Sequence, residues 1–372
     1  NNFIYIGENT MKPKQAKETM IHVLRGGNTP LLIGGTGLGK SAVVSQMAYE
    51  LADGRTVRVD KIDPNKNEFG FIDFRLSLYE SVDLGGLPYI EEGKQLRAFL
   101  GNLPVKNEGI LFLDEYGQAH PSLQAVVGQL IYERRIGEYT MPEGWQIVCA
   151  SNRASDRAGS NKLPSHVIGR CSLIEFEHDF DNWLEWAIDN DVHPHVMGYL
   201  QFQPHALNIF DPKVITPQPS PRSWVRLSDT LKTKPSSNMI QRMAECDVGE
   251  IQSIDFSNFV RTFNKLPNIE AILNGSDVDN PYSDMESIKD KKEKQGAMGV
   301  AYATTIALSE TVSNANESIK FDYFDNALNY VSQYSSPEYK IFFVRMTTKR
   351  NPELMETSTY AQFKVENQDV EF

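Results

Sequence analysis

Residues 34–41 combine four glycines with a lysine and a serine, in the order Gly34, Gly35, Thr36, Gly37, Leu38, Gly39, Lys40 and Ser41. This order matches G-x-x-x-x-G-K-[ST], a phosphate-binding turn when it follows a strand and opens a helix. The glycines let backbone N–H groups close around phosphate oxygens, and the helix N-terminus adds partial positive charge. The motif therefore predicts that Lys40 contacts the β- and γ-phosphates of a nucleotide and that the Ser41 hydroxyl binds Mg²⁺.

Two carboxylates, Asp114 and Glu115, follow the apolar run Ile110–Leu113. Ligands of parallel sheets bind at the carboxyl ends of the strands, so both acids are expected near the phosphates. Asp114 suits a direct or water-mediated Mg²⁺ contact, and Glu115 suits the general base that polarises attacking water. Two acids at a strand end can also be solvated surface residues, but a position about seventy residues after the phosphate motif favours catalysis. The two motifs together predict hydrolysis of ATP to ADP and phosphate with Mg²⁺.

The elements around these motifs alternate between short apolar runs and helical patterns, which predicts an α/β fold with a mostly parallel sheet. This is the P-loop NTPase architecture, and we assign it to residues 1–178. The expected strands are Pro30–Ile33, Phe69–Leu78, Gly109–Leu113, Trp145–Ala150 and Ser172–Phe176.

The second half of the chain loses the strand-like runs after about residue 179. Helical periodicity dominates there, with separate helices predicted at Met239–Cys246 and Phe256–Phe263. A polar stretch, Gly275–Ser283, interrupts this pattern. We therefore expect a helical lid over residues 179–275 and a helical C-terminal extension over residues 276–372.

Over roughly residues 3–275 the chain resembles the AAA+ ATPases, and within them the MoxR branch. The strand that ends at Ser151-Asn152 resembles sensor 1, whose amide at Asn152 would bond the γ-phosphate and the lytic water. The segment 220–224 resembles sensor 2, with Arg222 reaching the γ-phosphate from the lid. Ile6 and Gly7 lie in a segment similar to the one that lines the adenine pocket. Asp83–Pro88 resembles the MoxR-branch turn before a pore-facing insertion.

The segment Leu163–Arg170 resembles the part of these ATPases that ends in the arginine finger. The resemblance implies that Arg170 projects into the ATP site of a neighbouring subunit. The family usually has an acidic residue or Asn before this arginine, so Gly169 departs from the pattern. Arg157, in the polar loop after sensor 1, is a second candidate for a contact made in trans. An ordinary surface arginine is the alternative for both.

The resemblance also implies a homo-oligomeric, hexameric ring that remodels or activates a protein, in some cases by inserting a metal. MoxR-branch ATPases often act beside a protein with a von Willebrand factor type A domain. The alternative is a DNA-acting AAA+ protein, such as a helicase, loader or initiator. The insertion Tyr89–Arg97 has two basic and two acidic residues and does not decide between them.

Charge and composition limit the other possibilities. The formal net charge of −12 makes nucleic-acid binding a weaker expectation, because phosphate contacts depend on Lys and Arg. The three cysteines form no C-x-x-C pair, which argues against a disulfide framework or a zinc site and fits a reducing compartment. No run of eighteen apolar residues and no apolar leader occur, so we expect a cytoplasmic protein without a membrane span.

Overall fold

The computed structural model describes residues 10–59, 66–99, 101, 103–156, 163, 165–280 and 282–367. The chain divides into two compact units. The first extends to Asn182 and includes Asp211–Ile215, and the second contains Trp183–Phe210 and the chain from Thr216 onward. Among the described residues, no helix is long and apolar enough to span a lipid bilayer.

The described part of the first unit contains ten strands: β1 Thr29–Gly34, β2 Val57–Val59, β3 Phe69–Arg75, β4 Leu87–Glu91, β5 Lys94–Ala98, β6 Glu108–Asp114, β7 Arg135–Ile136, β8 Tyr139–Thr140, β9 Trp145–Asn152 and β10 Cys171–Glu175. Six of them form one parallel sheet in the order β10-β1-β9-β6-β3-β2. β4 pairs with β5, and β7 with β8, in two antiparallel hairpins. The predicted parallel α/β fold is confirmed.

Helices cover both faces of this sheet, which explains its apolar strands. Within β6, Ile110 and Phe112 belong to one hydrophobic core, and Leu111 and Leu113 belong to the other. The first core includes residues of α1 and α2, and the second includes residues of α4. The helices described in this unit are α1 Pro13–Arg25, α2 Lys40–Leu51, α3 Ser81–Gly85, α4 Pro121–Glu133 and α5 Ser165–Ile168.

Helices make up the second unit, and α6 connects the two units in the chain. The helices are α6 Phe180–Asp189, α7 Pro194–Phe202, α8 Pro221–Leu231, α9 Ser237–Arg261, α10 Ile269–Leu273, α11 Lys291–Ser313, α12 Glu317–Val331, α13 Glu338–Arg350 and α14 Ser358–Glu366.

The two helices predicted between residues 239 and 263 form one segment, α9, with a kink at Gly249. Gly249 has a φ of 80°, and a Cβ there would come within 2.4 Å of the Pro217 carbonyl oxygen. Both the backbone angle and this close approach require glycine. The non-helical backbone at Gly249 separates two helical stretches, as the sequence patterns on each side of it predict.

The predicted C-terminal extension lies in the second unit, and so does the predicted lid except for residues 179–182 and 211–215. α11, from the extension, packs against α7, from the lid. Their approach is close, because a Cβ at Gly198 would overlap the Ile306 side chain. The division of these helices at residue 275 therefore stays a prediction.

Candidate ATP site

The glycine-rich turn lies between the end of β1 and the start of α2. Gly37 and Gly39 have φ angles of 77° and 97°, which other residues rarely adopt. Leu38 is buried at 8% exposure and belongs to the adjacent core, whereas Thr36 is exposed. The buried Leu38 side chain therefore anchors the turn to the core, while the turn is exposed to solvent at Thr36. Its position at a helix N-terminus is the arrangement that binds phosphate.

Lys40 is buried at 8% exposure at the first position of α2. Its Nζ donates to three neutral oxygens, each at 2.8 Å: the carbonyls of Gly34 and Gly35 and the Oδ1 of Asn152. Bonds to carbonyls of its own turn hold the ammonium group inside the glycine-rich turn of residues 34–41, the predicted phosphate loop. A cation held there suits an anionic ligand.

Asn152 reaches this lysine because β9 lies beside β1 in the sheet. The two strands are parallel, and Gly34 and Asn152 are partners in the register. The predicted sensor amide and the predicted phosphate loop therefore end at the same edge of the sheet. Their hydrogen bond joins residues 112 positions apart in the sequence.

Ser41 and Asp114 also meet at this edge. The Ser41 hydroxyl donates to Asp114 Oδ2 at 2.9 Å, and Asp114 Oδ1 accepts from the Glu115 backbone N–H at 2.8 Å. One hydroxyl and one carboxylate suit Mg²⁺, which keeps several waters and takes its other ligands from substrate phosphates. The residues present fit the predicted magnesium site.

Glu115 has a left-handed backbone with φ of 59°, so the chain turns sharply where β6 ends. The Ser77 hydroxyl donates to its carboxylate. Arg75 and Asp114 are register partners in β3 and β6, so Ser77 lies beyond the end of β3, next to Glu115. No sequence motif predicts the contact of Ser77 with Glu115, because a single serine near the end of a strand carries no pattern of its own.

The predicted arginines occupy different places. Arg170 is exposed, and its Cζ lies over the Tyr132 ring, 4.8 Å from the ring centroid. Arg222 is exposed in the first turn of α8, in the second unit. Arg157, Ile6 and Gly7 lie outside the described residues.

A scan against protein-family models and a search of the curated proteins give no match. Similar solved structures include a RuvB mutant from Thermotoga maritima, with 14% identity, 70% of this chain and 75% of that chain covered, and a TM-score of 0.35. NtrX from Brucella abortus has 12% identity, 89% and 67% coverage, and a TM-score of 0.36. ORC2 from Aeropyrum pernix, in ADPNP–ADP complexes, has 11% identity, 94% and 88% coverage, and a TM-score of 0.35.

Identities and TM-scores this low give no assignment to the MoxR branch or to any substrate. The fold of the chain is defined by its own strand order and by its phosphate loop between β1 and α2.

Proposed function

We propose that this protein hydrolyses ATP with Mg²⁺ as a subunit of an AAA+ ring. One observation carries the proposal: two hydrogen-bonded pairs, Lys40 with Asn152 and Ser41 with Asp114, converge at the carboxyl edge of the parallel sheet. The four side chains come from α2, β9 and β6; the sequence motifs predict Lys40, Ser41 and Asp114, and the resemblance implies Asn152. A surface glycine turn and a solvated strand end would not require these pairings.

Each side chain has a defined task in this proposal. Lys40 balances charge on the β- and γ-phosphates, and the turn donates its backbone N–H groups to them. Glu115 accepts the proton of the attacking water, which Asn152 orients through its amide. Ser77 fixes the direction of the Glu115 carboxylate. Mg²⁺ bound at Ser41 and Asp114 would neutralise charge that develops on the phosphate oxygens.

As the resemblance implies, two arginines would complete the proposed site. Arg222 would contact the γ-phosphate from the helical lid, and Arg170 would do so from a neighbouring subunit. Both are exposed, so both guanidinium groups are accessible to a ligand or a partner. Hydrolysis would then depend on assembly of the ring.

We further propose, as the resemblance to the MoxR branch implies, that the ring remodels or activates a protein and acts beside a von Willebrand factor type A protein. The β4–β5 hairpin supports a protein substrate. Its apolar side chains Leu87, Tyr89 and Ile90 are 59%, 43% and 80% exposed. Exposed apolar residues on a hairpin suit contacts with polypeptide side chains.

The alternative is a ring that acts on DNA, for which the hairpin would supply basic residues. Arg97 Nη1, however, donates to the carbonyls of Gly85 and Gly86, at 3.0 Å each. Lys94 is the register partner of Glu91 across the hairpin. Arg97 therefore bonds to the backbone of its own segment, and Lys94 lies across the hairpin from an acidic residue.

The proposal is tested by the Lys40→Ala variant in titration calorimetry with ATP. Loss of charge-assisted contacts of ~1.5–3 kcal/mol each should weaken ATP binding about ten- to hundredfold. Lys17→Ala is the matched control, since Lys17 pairs with Glu50 away from the phosphate loop. Wild-type ATP affinity in folded Lys40→Ala would rule out the assigned site.

The alternative is tested by adding single- and double-stranded DNA to the ATPase assay at ~50 mM salt, where phosphate contacts are strong. A protein-remodelling ring should show no stimulation. A several-fold stimulation that disappears at higher salt would replace the protein-remodelling proposal with the DNA-acting one.

A further inference from the structure

Arg170 is fixed at its backbone, and its side chain is exposed. Its N–H donates to the carbonyl of Val167, a fully buried residue of α5, at 3.0 Å. The next residue, Cys171, starts β10 and pairs with Thr29 of β1. The chain therefore has little freedom on either side of Arg170. Its long exposed side chain needs a different kind of support to point in one direction.

Tyr132 is the neighbour that provides this support. It lies in the last turn of α4, and its side chain is 69% exposed, whereas the preceding Ile131 is buried in the core. The Arg170 guanidinium carbon lies over its ring, 4.8 Å from the centroid. This distance is within the range of a cation–π contact.

A carboxylate does not take this role in the part of the chain that the structure describes. Glu133 follows Tyr132, but its Oε2 accepts from Gln129 at 3.0 Å and from Arg135 at 3.1 Å. These bonds lower the Glu133 pKa, and the charge of Arg170 has only a smaller effect on it. Among described residues, no carboxylate oxygen lies within 4.0 Å of an Arg170 nitrogen.

The kind of contact matters because of the shape of a guanidinium group. Its N–H donors lie in the plane of the group, where carboxylates and phosphates bind them. A carboxylate partner would use some of those donors. A contact with a ring face holds the group by its flat side and leaves the donors for another ligand.

We propose that Tyr132 is a positioning residue. It orients the Arg170 guanidinium so that this group contacts the ATP of a neighbouring subunit in the transition state. This inference rests on the proposed function, in which Arg170 acts in trans. It also accounts for a glycine at position 169, where the family usually has an acidic residue or Asn, since the aromatic ring of Tyr132 supplies the support that an acidic neighbour of the arginine would give. Gly169 itself has no special backbone need, because a Cβ there would lie 3.6 Å from the Ser165 carbonyl oxygen, an ordinary contact.

The test measures kcat and KM for ATP in the full chain with Tyr132→Ala, Tyr132→Leu and Tyr132→Phe. An exposed cation–π contact implies that Tyr132→Ala lowers kcat about two- to fivefold. Tyr132→Phe keeps an aromatic face and should retain kcat. Tyr132→Leu keeps apolar bulk without that face and should resemble Tyr132→Ala. KM should stay unchanged in all three, because the arginine contacts the neighbour's ATP in the transition state.

A double variant separates positioning from general stability. In an Arg170→Ala background, Tyr132→Ala should cause no further loss of kcat, because the group that it orients is gone. Tyr49→Ala, at a tyrosine of the same unit that is 58% exposed, should leave kcat at the wild-type value. Thermal unfolding of each variant shows whether the protein is folded.

Three results would overturn the inference: wild-type kcat in Tyr132→Ala, equal kcat in Tyr132→Leu and Tyr132→Phe, or a further loss in the Arg170→Ala background. Failure of the proposed function looks different, because Lys40→Ala and Glu115→Gln would then hydrolyse ATP at the wild-type rate. If these two variants are inactive and Tyr132→Ala is not impaired, only the inference about Tyr132 fails.

Discussion

The two units of this protein use their buried and partly buried polar residues in different ways. In the α/β unit, Lys40 bonds to Asn152 and Ser41 bonds to Asp114, so polar side chains connect separate elements. In the helical unit, four buried threonines donate to carbonyls four residues earlier in their own helices, and one of these hydroxyls, Thr347 Oγ1, also bonds Ser309 Oγ of α11 at 2.9 Å. These threonines are Thr304, Thr305, Thr347 and Thr348.

This difference follows from how the elements are arranged. Parallel strands end at a common edge, so polar residues just past their ends are brought together. Helices carry side chains around their whole length, and a buried hydroxyl is satisfied most simply by its own helix. Substitutions of polar residues at the sheet edge of the α/β unit should therefore change the rate of ATP hydrolysis. Substitutions of buried polar residues in the helical unit should change the free energy of unfolding.

The largest expected effect in this comparison comes from Arg170→Ala. The transition state spreads negative charge over the γ-phosphoryl oxygens, and an inserted guanidinium stabilises it. Arginines in this role contribute ~10³–10⁵ in rate in other NTPases, or roughly 4–7 kcal/mol of barrier. We expect Arg170→Ala to bind ATP normally and to hydrolyse it slowly, as measured by calorimetry and by steady-state phosphate release.

Mixing shows whether Arg170 acts between subunits. Arg170→Ala and Lys40→Ala subunits should each be nearly inactive and should recover part of the activity together. A mixed interface can pair an intact phosphate loop with an intact arginine. If the two variants co-assemble and no activity returns, Arg170 does not act in trans, and Arg157 becomes the candidate to examine.

Arg222→Ala tests whether the helical unit has a chemical role at its surface. A charge-assisted bond to the γ-phosphate implies a loss of about ten- to hundredfold in hydrolysis. Arg226→Ala is the matched control, because Arg226 lies one turn later on α8 and pairs with Asp247 at 2.8 Å. Equal ATPase rates in the two variants would confine the chemistry to the α/β unit.

His193 and His195 test the stability role of the helical unit. Burial lowers the pKa of each histidine to about 4, and the charge of Lys232 further lowers that of His193. The unfolded chain, with pKa values near ~6.5, then binds more protons than the folded chain between about pH 6.5 and pH 4. Their contribution to stability is complete above pH 6.5 and is lost as the pH falls toward 4.

The expected slope is at most about 1.4 kcal/mol per pH unit for each histidine. Urea unfolding of the wild type and of His195→Gln at pH 5 and pH 7 measures it, with exposed His205→Gln as the control. His195→Gln should reduce the pH dependence and leave ATP binding unchanged. An unchanged pH dependence, or a loss of ATP binding, would contradict the assigned role.

The sequence predicts the central strands of the α/β unit, but it does not predict the side-chain contacts at the surface of this unit. The apolar runs around Leu31, Leu111 and Val148 identify central strands because helices cover both faces of the sheet. The contacts Ser77–Glu115 and Tyr132–Arg170 each join residues 38 positions apart. Neither contact has a motif, since each depends on where two elements end in space.

Glu115→Gln gives the most direct test of ATP hydrolysis at this edge of the sheet. The amide preserves the size of the side chain but cannot accept the proton of the attacking water. The account predicts that ATP binding stays within a few-fold of wild type, while steady-state phosphate release falls by ~10²–10⁴. Wild-type phosphate release from folded Glu115→Gln would contradict the account.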